Sequence, residues 1–180
     1  MIQVIEAPRL TLHPFSAGDA DEAYRCITPS LTRYMGWEPA ANPDEFAKIW
    51  QTWIRNFTDS TELVFTIREK RNSRFLGLVG VHELQTSTPE LGIWIREDRH
   101  GNGFGREAVA CLYVWASANF DRLSYVYPVA EDNHPSRRIA ESLGGVVTDT
   151  RTSPKYRAVL YSIPRHEPGV LLETLIQSNP

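Results

Sequence analysis

Apolar positions recur along this chain with a period of two in short stretches and with helical spacing in longer ones, and their order predicts the elements. Residues 9–15 alternate in type and read as a short strand. A helix is expected over 21–27, with Ser16 and Asp19 as candidate caps and Pro29 helping to end it. A second helix starts near Pro43: Asn42 can cap it, Pro43 suits the first turn, and Asp44 and Glu45 complement the helix dipole. Phe46, Ile49, Trp50, Trp53 and Phe57 then form one apolar stripe. Residues 63–68 and 75–84 are strand-like and flank a turn-prone basic stretch, which predicts a hairpin. Residues 90–95 form a further strand, followed by a glycine cluster and a helix over 107–120 with Val109, Leu112, Tyr113, Ala116 and Phe120 on one face. A strand over 124–129, a helix over 135–143 closed by Gly144 and Gly145, and a strand pair over 145–150 and 156–163 complete the pattern. Beyond Pro164, the short apolar run Val170-Leu171-Leu172 is assigned no element.

Composition narrows the class. With 180 residues, of which 42% are hydrophobic and 23% charged, the chain has material for one folded domain and lacks the signature of disorder. Nineteen basic against 22 acidic residues leave a net charge of −3, so the broad positive field needed for phosphate-backbone binding is missing and nucleic acid is not an expected partner. Cys26 and Cys111 form neither a disulfide framework nor a metal-ligand spacing. Both read as reduced, buried thiols, and no metal is expected. The amino terminus has no basic flank, and no window reaches the roughly 18 apolar residues of a membrane span. The expected location is the cytoplasm, with no membrane partner.

The chemistry concentrates in Arg99-His100-Gly101-Asn102-Gly103-Phe104-Gly105-Arg106-Glu107, between a strand and a helix. Glycines there let backbone N–H groups turn toward an anion, and the following helix adds the positive end of its dipole. A pyrophosphate suits such a loop. The dinucleotide pattern fails because the sixth position from Gly101 is Arg106, and no phosphate-binding G-x-x-x-x-G-K-[ST] occurs. A simple connecting turn is the alternative.

Glu90-Leu91-Gly92-Ile93-Trp94-Ile95, four residues, and then His100 through Ala108 resemble the acetyl-CoA signature of the GNAT acyltransferases, in particular the branch containing the RimJ and RimL ribosomal-protein N-terminal acetyltransferases. His100 stands where that pattern has Arg, Gln or an aromatic, and Gly103 and Gly105 stand at its glycine positions. Three further segments fit the same branch in order: Pro8 to Phe15, Thr32 to Trp37, and Asn133 to Gly145 with its N-x-x-S helix and Leu-Gly end. The resemblance covers residues 8–163. It implies one N-acetyltransferase domain over 1–180 with 164–180 as a tail. The implied fold is α+β: a mixed, mostly antiparallel twisted sheet flanked by helices, whose central strands splay to admit a thioester.

The resemblance also implies roles. The open backbone of Trp94, Ile95 and Arg96 would hold the pantetheine arm of acetyl-CoA. The loop through His100, Gly101, Asn102, Gly103, Phe104, Gly105 and Arg106 would hold its pyrophosphate. Asn133 would contact the arm, or simply cap its helix. Ser136 would lie near the sulfur as a catalytic donor, which suffices for a thiol with a pKa of about 8.5. Glu90 matches an acidic position of the branch and is the first candidate base, sharing a strand face with Trp94; Glu83 and His82 compete. Trp37 and Glu83 are the expected acceptor contacts. The expected reaction is acetyl transfer to a primary amine by direct attack in a ternary complex, foremost to a peptide or protein N-terminus. An α-amine with a pKa of about 7.7 is about one-sixth neutral at pH 7, so it makes little demand on a base. A small amine acceptor (polyamine, amino acid or aminoglycoside), a non-catalytic acyl-CoA-binding domain, and a homodimeric state stay open.

Overall fold

A computed structural model describes residues 4–167, 169 and 172–177, and in it the seven predicted strands and one more, Ile5–Glu6, form one eight-stranded sheet. The strands are β1 (Ile5–Glu6), β2 (Leu10–Pro14), β3 (Leu63–Glu69), β4 (Phe75–His82), β5 (Glu90–Ile95), β6 (Ser124–Ala130), β7 (Val146–Thr152) and β8 (Arg157–Pro164). Their order is β1-β2-β3-β4-β5-β6-β8-β7, antiparallel at every step except β5 to β6. The helices are α1 (Ala20–Cys26), α2 (Pro29–Thr32), α3 (Pro43–Thr58), α4 (Phe104–Asn119), α5 (His134–Ser142) and α6 (Leu172–Gln177). This is the expected α+β arrangement of a mixed, mostly antiparallel sheet flanked by helices.

Side-chain alternation divides the core between the two faces of the sheet. On one face, Val64, Phe75, Leu78 and Trp94 pack with Phe15, Ala23, Leu31 and Phe46 from the α1–α3 side. On the other, Val79, Val81, Leu91 and Ile95 pack with Ala108, Val109, Leu112 and Ala116 of α4 and Ala140 of α5. Leu10, Leu12, Leu63, Ile67, Leu76, Val81 and Leu112 are all wholly buried, and each such side chain contributes about 1.5–3 kcal/mol. The stripe on α3 meets this core through aromatic contacts: Trp53 stands edge-on to Phe15 at 5.3 Å and to Phe46 at 5.8 Å.

Several boundaries differ from the sequence expectation for local reasons. Gly103 (φ +75°) caps α4, so that helix starts at Phe104 rather than 107. Pro29 opens α2 instead of merely ending α1, because the Thr28 hydroxyl accepts the Leu31 N–H at 3.0 Å. The strand expected to reach Leu84 stops at His82, where Glu83 turns into the left-handed region (φ +54°). Cys26 is half-buried rather than buried, while Cys111 is buried and its thiol is pushed up to about 12 by desolvation. β1 and α6 lie outside 8–163, and Ile5, Leu172, Leu175 and Ile176 pack on the same core. In the apolar run beyond Pro164, Val170 and Leu171 lie outside the described residues. No helix among the described residues is long and apolar enough to cross a membrane.

Candidate active site

The junction of β5 and β6 shapes the site. Among the described residues these strands pair only at Glu90 opposite Val126. The Val126 N–H donates to Pro89 O at 2.8 Å, and the Arg96 N–H donates to Leu76 O at 2.7 Å on the β4 side. Backbone groups alternate in direction along a strand, so odd-numbered residues of β5 face β6 and even-numbered ones face β4. Past the single pairing the strands part, and the backbone of Ile93 and Ile95 faces the gap. Of the three residues expected to offer open backbone, Ile95 alone faces the gap, with its N–H open to it and its carbonyl taken by His100. Trp94 and Arg96 turn theirs toward β4, and Ile93 takes their place. The Arg96 guanidinium also points elsewhere, to Asp98 at 2.6 Å.

The glycine loop borders one end of the gap. Gly101 and Gly103 both sit at positive φ (+76° and +75°), which side-chain-bearing residues adopt at a cost. At Gly101 the space where a Cβ would stand is open. The loop leads straight into α4, whose first-turn N–H groups lack intrahelical partners and carry the positive dipole end. His100 braces the loop to the strand: its Nε2–H donates to Ile95 O at 2.6 Å, since a carbonyl can only accept. Asn102 Nδ2 donates to the carbonyls of Arg99 and His100, and the side chain is not part of the cleft wall.

Arg9 and Glu107 anchor this loop, and sequence reasoning assigned neither of them a role there. Glu107 is wholly buried, accepting the Arg9 backbone N–H at 2.6 Å and Arg9 Nε at 2.7 Å. Arg9 Nη1 donates to Asn102 O at 3.0 Å, and its guanidinium lies 4.9 Å from the centre of the Phe104 ring. The available signal was an acidic residue in the first turn of an otherwise apolar helix face, with a lone arginine opening the first strand.

Beside the gap, Asn133 Oδ1 accepts the Ser136 N–H at 3.4 Å and so caps α5 while lining the cleft. The Ser136 hydroxyl lies 2.9 Å from the Tyr127 hydroxyl of β6. Burial pushes Tyr127 up to about 12, so it stays a neutral hydroxyl able to donate. Tyr127 was not foreseen; its signal was an inward-facing tyrosine on the strand preceding the N-x-x-S helix. These groups and the loop belong to one cleft of about 1280 Å³.

The cleft continues across the sheet onto the α1–α3 face, where His82, Glu90, Trp94, Trp53 and Glu62 line it. Burial raises the Glu90 carboxyl above its ordinary value, partly offset by His82 and Arg151. Trp37 stands 43% exposed at its wall. Lys155, in the β7–β8 turn, ties this wall shut by donating to Thr32 O (2.8 Å) and Trp37 O (3.1 Å) and pairing with Glu38 at 2.9 Å. Glu83, expected at the acceptor side, is exposed and outside the cleft, because its left-handed backbone turns it away. His100, Gly101, Gly103, Phe104, Gly105, Arg106, Asn133 and Ser136 line the same cleft as Glu90 and Trp37. Among the described residues, no three His, Cys, Asp or Glu side chains are grouped to hold a metal ion.

A backbone cradle at a helix start opening into a parted sheet is an arrangement for a thioester arm, and the domain family described as acetyltransferase (GNAT) domain matches residues 9–146. This chain belongs to that family. As a GNAT acetyltransferase it is an acyltransferase enzyme. It is 26% identical over 180 residues to an N-acetyltransferase 9-like protein of Caenorhabditis briggsae, covering 94% of this chain and 88% of that one. Its fold is shared with RimL, a ribosomal alpha-N-protein acetyltransferase solved with coenzyme A (TM-score 0.80, 15% identity, 89% of this chain and 97% of that one). It is shared also with spermidine N-acetyltransferase from Vibrio cholerae, solved with CoA and spermine (TM-score 0.76, 19% identity, 87% and 96%).

Proposed function

We propose that this GNAT enzyme transfers an acetyl group from acetyl-CoA to the N-terminal amine of a peptide or protein, by direct attack in a ternary complex and without a covalent enzyme intermediate. The observation that carries the donor half is the gap past Glu90 and Val126, with the glycine loop at its end. The N–H groups between Gly101 and Arg106 suit the pyrophosphate, and the backbone of Ile93 with the N–H of Ile95 suits the amide-bearing arm. When bound, acetyl-CoA supplies an activated acyl carbon and a thiol leaving group. Ser136, backed by the neutral Tyr127 hydroxyl, is placed to hydrogen-bond the sulfur as charge develops there. Neither cysteine lines the cleft, which favours direct attack over an acylated enzyme.

The acceptor enters from the opposite face, past Trp37 and toward Glu90. The charge pattern there favours a chain terminus over a polyamine. Glu38, Glu62 and Glu90 are interleaved with Arg33, Arg151 and a Lys155 already engaged with the loop, so a single ammonium fits better than a polycation. A small monoamine is the second reading, because the Trp37 and Trp53 wall can enclose a compact side chain. The whole of 1–180 acts here as one N-acetyltransferase domain, with 8–163 carrying the site.

Calorimetry with acetyl-CoA, CoA and ATP tests the donor: both CoA species bind and ATP does not, whereas no binding of either CoA species defeats the proposal. A thiol-release screen over N-terminal peptides, polyamines, amino acids and aminoglycosides tests the acceptor. Peptides should show the highest kcat/KM; polyamines leading the series would overturn the acceptor assignment.

A further inference from the structure

His82 sits where β4 and β5 begin to line the acceptor half of the cleft, and four features prepare it. First, its Nδ1 is hydrogen-bonded to Glu62 Oε1. A carboxylate can only accept, so Nδ1 carries the proton and Nε2 bears the lone pair in the neutral ring. Second, Glu62 is itself held ionised and oriented. Burial works against its charge, but the hydrogen bonds from His82 and from Asn56 Nδ2 (2.9 Å) outweigh it and lower its carboxyl below the usual range. Third, two glycines make room for the ring. A Cβ on Gly80 or on Gly92 would lie 3.0 Å from His82 Nε2, tighter than nearly all real contacts, so the imidazole lies across both strands with Nε2 over the cleft floor. Fourth, His82 pairs directly with Glu90 across β4 and β5, which places both side chains on the acceptor face at about 5 Å between Cβ atoms.

We propose that His82 is the catalytic base for the acceptor amine and that Glu62 is its positioning residue, an assignment that rests on the acetyltransferase function argued above. The bound ammonium gives one proton to Nε2, which frees the nitrogen lone pair. Nitrogen then bonds the acyl carbon as the C–S bond breaks. The second nitrogen proton ends on the departing sulfur by way of the Ser136 hydroxyl, and the imidazolium returns its proton to solvent, so one proton is released per turnover. Glu90 holds the incoming ammonium beside the ring. The charged and titratable groups around His82 are Glu62 at the start of β3, Glu90 on β5, and, beyond Glu90, Arg151 of β7 and Tyr156 of the following turn. From α3 the neutral Asn56 amide donates to Glu62, and Glu45 and Lys48, paired with each other at 2.6 Å, line a shallow pocket with it. Glu83, next in the chain, faces solvent.

Nitrogen-detected NMR of the free protein reads the tautomer, and kinetics with acetyl-CoA and the best acceptor from the screen read the role. The neutral ring should show Nδ1 protonated and Nε2 bare. His82→Asn keeps an N–H for Glu62 but has no Nε2; it should lower kcat by about 100-fold or more while leaving acetyl-CoA affinity and melting temperature near wild type. Glu62→Gln should lower kcat about tenfold and populate the Nε2-protonated tautomer in the same NMR experiment, since a carboxamide can donate to Nδ1 where a carboxylate can only accept from it. A protonated Nε2 in the wild type overturns the proposal, as does His82→Asn with wild-type kcat. If the wild type fails to bind acetyl-CoA or acetylates no amine, the transfer function itself falls and takes this step with it.

Discussion

At the scale of single residues, Ser136 and Glu90 were both expected at the site, and their surroundings separate what each can do. Ser136 shares a 2.9 Å contact with Tyr127, so Ser136→Ala removes the nearer hydroxyl and Tyr127→Phe its support. Turnover is expected to fall about tenfold or more in Ser136→Ala and less in Tyr127→Phe, a hydrogen bond to a charged group being worth about 1.5–3 kcal/mol, while calorimetry shows acetyl-CoA affinity little changed. Glu90 carries a carboxyl raised by burial, and the sign of its pH effect follows. A group whose folded value lies above its unfolded value stabilises below the unfolded value and loses that stability as pH rises through the folded one. Glu90→Gln should therefore melt above wild type at neutral pH, with the difference vanishing in acid, as followed by thermal melts across pH. That gain would accompany lower acceptor kcat/KM, the usual trade at a functional position. Both residues were legible because a strand period and an N-x-x-S helix fix their place along the chain. Tyr127 and Glu62 were not, since each acts only through a partner that folding brings beside it.

At the scale of elements, two ties across the fold decide how the cleft is held. The first joins β2 to the start of α4 through Arg9 and the buried Glu107, and it carries the glycine loop by way of Asn102 O. Arg9→Ala leaves Glu107 with the backbone N–H alone. It should destabilise the chain by roughly 2 kcal/mol and weaken acetyl-CoA binding severalfold, measured by denaturant melts and calorimetry on one sample. The second is Lys155, whose ammonium joins the β7–β8 turn to the loop after α2 at three oxygens. Lys155→Met frees that wall. The acceptor KM should rise while acetyl-CoA affinity holds, because the glycine loop lies on the other side of the sheet. Sequence periodicity located most of these elements within a few residues. It missed β1, α2 and α6, which are too short to show a period and form where Ile5, Leu31 and Leu175 pack against neighbours distant in sequence.

At the scale of the molecule, the sheet separates two tasks and the gap joins them. In the proposed reaction, α4, α5 and the glycine loop take the donor on one face, while α1–α3 and the β7–β8 turn wall the acceptor on the other. The amides of Ile93 and Ile95, facing the gap, should exchange quickly in the free protein and become protected on adding acetyl-CoA, a pattern that hydrogen exchange reads residue by residue. Equal protection before and after would place the arm elsewhere. The sequence by itself determined most of the element order and the glycine loop, because these depend on local period and backbone permissiveness within one stretch of chain, and its resemblance to a family pointed to the acetyltransferase class. Only the tertiary structure decided that β5 and β6 part after one pairing, that Glu83 turns outward, and that His82 meets Glu62. Each of these is a relation between segments far apart in sequence, set by strand register and by which side chain fills the space two glycines leave.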